Sequence, residues 1–218
     1  MGECEAAGTV LASMFVYQEG SHFISCLQLA DQNLRQKQKD ETNLRWIIVA
    51  LHDALYALLI EKLSRTDGFG IFTDKFECDV SAFYESGGNS DSCEFRALCQ
   101  RSLKENIAGI SKLLVRADLP SGATIHVSDI DTLTRPSKGL SQLKELRDFF
   151  SHPRPMISGY YEDFLHTAIQ DTIHVINEVR KQSGHTADRH DALEANILME
   201  SIQYYSNRWL AQMNQGKE

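Results

Sequence analysis

The chain has 218 residues, 42% of them hydrophobic and 24% charged, which excludes a disordered, collagen-like or disulfide-scaffold protein and allows a sizeable core. The formal charge of −8 has the wrong sign for a protein that coats nucleic acid non-specifically, although a small basic site on an acidic body is compatible with it. No run approaches the length of an apolar membrane span, and the acidic start Met1-Gly2-Glu3-Cys4-Glu5 lacks the basic and apolar regions of a secretory signal, so the expectation is a cytoplasmic protein without membrane contact.

In chain order, the first segment, about 6–38, carries Val10, Met14, Phe23, Ile24, Leu27 and Leu34 at mixed helical spacings and reads as one long helix or two stacked pieces. The clearest helix follows. Leu44, Ile47, Ile48, Leu51, Leu55, Leu58, Leu59 and Leu63 recur at three- and four-residue steps, with Asp40 and Thr42 as cap candidates and Asp67-Gly68-Phe69-Gly70 as the stop. Residues 66–91 are rich in Gly, Asp and Ser and predict a surface loop or short-helix connection.

A third helix is predicted over about 93–116 from Phe95, Leu98, Leu103, Ile107, Ile110 and Leu114. Residues 117–140 hold Pro120, Pro136 and Gly139 around the alternating run Thr124-Ile125-His126-Val127, a long connection with room for a brief strand. After it come a helix from Leu140 to Phe150, a Pro-bounded interruption, and helices over about 160–182 and 191–213. No βαβ alternation or repeat occurs. The expectation is therefore a single all-α domain over 1–218, a bundle of four to six helices with long connecting loops at about 66–91 and 117–140.

The five cysteines include no C-x2-C pair, and the histidine spacings (His166 and His174, His185 and His190) do not match helical ligand pairs, so neither a metal nor a cofactor is expected. One hexapeptide says more: Arg147-Asp148-Phe149-Phe150-Ser151-His152. Pro153 disfavours the α conformation at His152, which places this histidine at a helix end, where the negative end of the dipole favours the imidazolium. Arg147 lies more than one turn back, so both side chains can converge on one anion if His152 folds back. A histidine can take the proton of an RNA 2′-hydroxyl or deliver one to the leaving oxygen, while a guanidinium holds the phosphate and stabilises the charge that grows there. The plainer alternative is a surface ion pair of Arg147 with Asp148 or Glu145 and a helix cap by His152.

This hexapeptide resembles the R-x4-6-H hallmark of the HEPN superfamily of helical domains, with Asp148 directly after the arginine. The helix Trp46 to Ile60 is similar to the long apolar helix that precedes the motif in many of these proteins, and the resemblance covers about residues 40–182. It implies a homodimer in which two motifs meet in a shared cleft, acting as a metal-independent endoribonuclease in toxin–antitoxin or anti-phage defence. By that resemblance Arg147 and His152 are catalytic, and Asp148 orients one of them or lines the cleft. Arg154 and Lys144 are possible phosphate-binding residues, and an antitoxin or defence-system protein is a possible partner beside the RNA substrate. Some members lack activity, so the alternative is a silent HEPN module that binds a nucleotide or a protein.

Beside the motif, His52 and Asp53 are either a cleft contribution from the neighbouring helix or a solvated face. Phe149 and Phe150 read as core or dimer contacts, and Tyr160, Tyr161, Tyr204, Tyr205 and Trp209 as core or interface rather than base platforms. For Arg154, between two prolines, phosphate binding and simple exposure stand side by side.

Overall fold

A computed structural model describes residues 19–36, 43–117, 137–151, 162–182 and 189–215. Eight α-helices run through these residues: α1 Glu19–Gln36, α2 Asn43–Leu63, α3 Asp74–Glu85, α4 Cys93–Ser102, α5 Ile110–Arg116, α6 Ser137–Ser151, α7 Glu162–Gln182 and α8 Arg189–Gln215. The all-α expectation is met, and the number of helices exceeds the expected four to six.

The fold is organised around α2. Its residues Ile47, Ile48, Leu51, Ala54, Leu55, Leu58 and Leu59 are buried, and α1, α5, α6 and α7 all pack against it. A helix that is apolar on nearly every side is stable only when surrounded, which is why the strongest periodic stretch of the chain became its central element. On α1, the face Phe23, Leu27, Ala30 and Leu34 covers α2. Its other flank meets α8 through Asp31, a buried carboxylate that accepts hydrogen bonds from the Arg35 guanidinium at 2.8 Å and from the hydroxyl of Ser201. Arg35 completes this clamp by lying over the Tyr205 ring, 4.9 Å from its centroid.

One of two open readings is decided and one expectation is corrected. The segment 66–91, read as a surface loop or short-helix connection, contains the three-turn helix α3, because Phe76 and Val80 sit four residues apart and bury one face. The glycines that suggested a loop lie at its two ends. Gly68 and Gly70 take positive φ values of 80° and 103°, and a side chain at Gly70 would overlap the carbonyl of Leu63. The Glu77 carboxylate reaches back to accept the N–H groups of Gly70 and Phe72 at 2.8 and 2.9 Å, which ties the turn to the helix.

The single helix expected over 93–116 is two helices, α4 and α5. The Ser92 hydroxyl caps α4 by accepting from Phe95 N–H at 3.1 Å. Between the two, the chain leaves helical geometry: Ala108 N–H donates to Ile71 carbonyl at 2.8 Å, and Phe72 and Ile107 form an isolated antiparallel bridge. Leu103, part of the apolar stripe that suggested continuity, is 83% exposed. Tertiary pairing with the α2–α3 connection overrides the local pattern.

The remaining helices have the expected positions with shifted ends. The segment 6–38 contributes α1, and α6 begins at Ser137 rather than Leu140. The run Thr124 to Val127, the cap candidates Asp40 and Thr42, and Tyr160 and Tyr161 lie outside the described residues. No described helix is long and apolar enough to cross a membrane.

Candidate functional site on helices α2 and α6

Helix α6 carries the motif, and three leucines fix it on the bundle. Leu140, Leu143 and Leu146 recur every three residues and are buried, against α7 and α2. At its start, Gly139 N–H donates to the buried Asp171 carboxylate of α7 at 3.1 Å, an acidic partner at the positive end of the helix dipole. A side chain at Gly139 would overlap that of Asp171, so the close approach of the two helices requires a glycine there.

With the leucines inward, Lys144 is exposed and Arg147 stands at the edge of the buried face. The Arg147 side chain is 37% exposed and donates from Nη1 to Asp148 Oδ1 at 3.1 Å. Between half-exposed neighbours such a contact contributes well under 1 kcal/mol, about the usual value for surface pairs, so it orients the guanidinium without immobilising it. The helix continues through Ser151, the residue before His152. His152 and Arg154 themselves lie outside the described residues.

Helix α2 supplies the wall beneath this edge. Burial raises the Tyr56 hydroxyl above its ordinary range, and the nearby positive charge of Arg147 draws it part of the way back. Tyr56 donates to the carbonyl of Ala108 at 3.0 Å, which fixes its ring between α2 and the start of α5. One turn earlier, the buried His52 ring lies nearly parallel to it, tilted by 18° at 6.1 Å between centroids. His52 Nδ1 is 3.1 Å from Asp53 Oδ1; a carboxylate only accepts, so Nδ1 carries the proton in this contact.

His52, Ser111 and Lys144 line a cavity of about 10 Å³ with apolar side chains of α5 and α6, room for a single water. His52 is therefore packed under the motif-bearing helix and is not part of a solvated face. The structure thus brings Lys144 to the cavity lined by His52 and Arg147 near Tyr56, with Asp148 on Arg147 and Asp53 on His52.

Tyr56 was missed by reading the sequence as an apolar stripe. Its signal was available, since a hydroxyl inside such a run, four residues after a histidine, shares that histidine's face. Phe150 packs on the core and meets Phe149 edge to face at 5.4 Å. Trp209 is buried, while Tyr204 is largely exposed.

Electrostatically, a cationic edge of Lys144 and Arg147 stands on a chain of net charge −8, with Asp148 as the anion paired to Arg147. Such an edge attracts a phosphate, and the described residues contain no group of three or more His, Cys, Asp or Glu side chains able to hold a metal ion. The chain matches no protein-family model, no curated protein and no solved structure.

Proposed function

We propose that this chain is a metal-independent endoribonuclease of the HEPN type, a toxin or anti-phage effector, with Arg147 and His152 as the catalytic pair. The observation that carries the reading is Arg147: a half-exposed guanidinium near the end of α6, one turn after Lys144 and, in the sequence, five residues before His152. In this reading Arg147 binds the scissile phosphate, Lys144 a neighbouring phosphate at the rim, and His152 removes the proton of the adjacent 2′-hydroxyl. The 2′-oxygen attacks phosphorus, the bond to the 5′-oxygen breaks as that oxygen takes the proton returned by the His152 imidazolium, directly or through water, and the products are a 2′,3′-cyclic phosphate and a 5′-hydroxyl. Arg147 offsets the negative charge that builds on the phosphoryl oxygens, and Asp148 holds it in position. Arg154 adds a second phosphate contact. The working form is a homodimer that presents two such motifs, and a cognate protein partner restrains it.

DNA lacks the nucleophile, so the direct test is an RNA oligonucleotide beside its fully 2′-deoxy counterpart. Cleavage of the RNA strand alone is expected. Cleavage of both would remove the 2′-hydroxyl mechanism, and binding of either strand without cleavage would favour the silent binding module. That second reading draws on the Arg147–Asp148 contact, which also suits an arginine that only binds.

A further inference from the structure

The first turn of α2 carries a feature that the motif does not use. Its Trp46 is 46% exposed, whereas Trp209, the other tryptophan of the chain, is 8% exposed. So large an aromatic ring is ordinarily buried, and an indole left in solvent is therefore informative. The Arg45 guanidinium lies over this ring, 5.2 Å from its centroid. Arg45 is exposed, has no carboxylate partner among the described residues, and stands in a first helical turn that contains no acidic residue.

The position of Arg45 on α2 says what the pair faces. At about 100° per residue, Arg45, His52 and Tyr56 fall within about 40° of one another and form one line along the helix. Lys144 lines the same cavity as His52, and Arg147, one turn further along α6, has Tyr56 within reach of its charge. Three cations thus follow this line: Arg147 at the level of Tyr56, Lys144 at that of His52, and Arg45 about 10 Å beyond it at 1.5 Å per residue. A row of cations that ends in an exposed aromatic ring suits a single-stranded nucleic acid, whose phosphates meet the cations and whose unpaired base meets the ring. A duplex keeps its bases stacked inside and offers none to such a ring.

We propose that Arg45 and Trp46 form a nucleotide subsite for single-stranded RNA, in which the indole stacks on a base and Arg45 holds the adjoining phosphate. The inference rests on the reading of the chain as a protein that cleaves RNA, and it adds a contact further along the strand from the scissile phosphate. Every base presents a flat π face, so the subsite contributes affinity and a requirement for unpaired RNA, not a preferred sequence.

The test uses the contrast between the two tryptophans. A fully 2′-O-methyl RNA strand, which lacks the attacking hydroxyl, is titrated into the full chain while tryptophan emission is followed, beside Trp46→Phe and beside the same strand made abasic. Quenching is expected in the wild type, is absent in Trp46→Phe because Trp209 is buried, and is largely lost with the abasic strand. By anisotropy of a labelled strand, Trp46→Ala weakens binding about tenfold at an unchanged salt slope, the effect of losing one base–aromatic stack. Arg45→Ala lowers the slope of log affinity against log salt by about 0.7, the value for one single-strand phosphate. Binding that leaves Trp46 emission unchanged, equal quenching by the abasic strand, or a Trp46→Ala protein that binds as tightly as wild type overturns the inference. So does emission from Trp46 that acrylamide does not quench in the free chain, which would mean that another part of the protein covers the ring. Cleavage of unmodified RNA, measured in parallel, separates the two readings: cleavage with Trp46 silent removes the subsite alone, and quenching without cleavage removes the nuclease activity alone.

Discussion

Lys144 on α6 and His52 on α2 line the same small cavity, so the exposed ammonium of the motif-bearing helix stands over a buried imidazole that is held by Asp53. The pair links the cationic edge to the core of the bundle, because α2 is the element against which α1, α5, α6 and α7 pack.

Lys144→Ala tests the outer half of that link. Lys144 is a mobile point charge at the rim, so its loss weakens RNA binding evenly across sequences and lowers the slope of log affinity against log salt by about 0.7, the value for one single-strand phosphate contact. Turnover at saturating RNA stays within about twofold of wild type, since uniform binding is what the residue supplies. Salt titrations of binding, with steady-state kinetics, check both.

Gly139→Ala tests how α6 is seated. The added methyl overlaps the Asp171 side chain, and a cost of about 2 kcal/mol is expected from overpacking, larger than the gain of about 1 kcal/mol from replacing a helical glycine. In an Asp171→Ala background the same substitution costs less or becomes favourable. Thermal or urea unfolding of the four proteins measures the coupling directly.

Much of this seating was legible beforehand and some was not. The stripe of α2, the leucines of α6 and the faces of α7 and α8 announce themselves by spacing, because each buries one side of a long helix. The short helices did not. In α3, two buried residues four apart were outweighed by glycines that in fact bound the helix, and the stripe of 93–116 ran through a break created by pairing with Ile71 and Phe72. For the candidate site, Lys144, Arg147 and Asp148 could be named from one hexapeptide and its surroundings. His52 stood open between a cleft contribution and a solvated face, and Tyr56 shares its face, but nothing local fixes which turn of α2 meets α6.

Cys26 gives a check on packing between α1 and α2. Burial, with the negative charge of Asp53 nearby, pushes its thiol up to about 11, and its sulfur lies 3.4 Å from His22 Nε2. At pH 8 the thiolate fraction is on the order of one in a thousand, and thiolate is the reactive form. Iodoacetamide at pH 8 is therefore expected to modify the exposed Cys78 and Cys93 first and to reach Cys26 only on unfolding. Peptide mass spectrometry reads the order. Early modification of Cys26 would mean that α1 does not pack on α2 as described.

Asp67 governs acid stability at the α2–α3 turn. Burial alone would raise its carboxyl, but the Phe69 N–H and the Arg65 and Tyr84 side chains, all bonded to the ionised form, hold it below the usual carboxylate range. A depressed folded-state value means that the stabilisation is complete above the unfolded-state value, about 4, and is lost as pH falls through the lower folded value. Asp67→Asn is accordingly less stable than wild type at pH 7, by about 1–2 kcal/mol for loss of a charged acceptor. As the pH falls through the lowered folded-state value the two proteins converge. Unfolding curves across this range test the sign, and a difference that grows toward low pH would refute it.

The most direct measurement is incubation of the full chain with total RNA in EDTA, beside Arg147→Ala and His152→Ala, with analysis of the fragment ends. The account predicts cleavage by the wild type that leaves 2′,3′-cyclic phosphates and 5′-hydroxyls, and a loss of about a hundredfold or more in each variant, the usual effect of removing a general base or a charge-stabilising donor. No cleavage by the wild type, or equal cleavage by all three proteins, would contradict it.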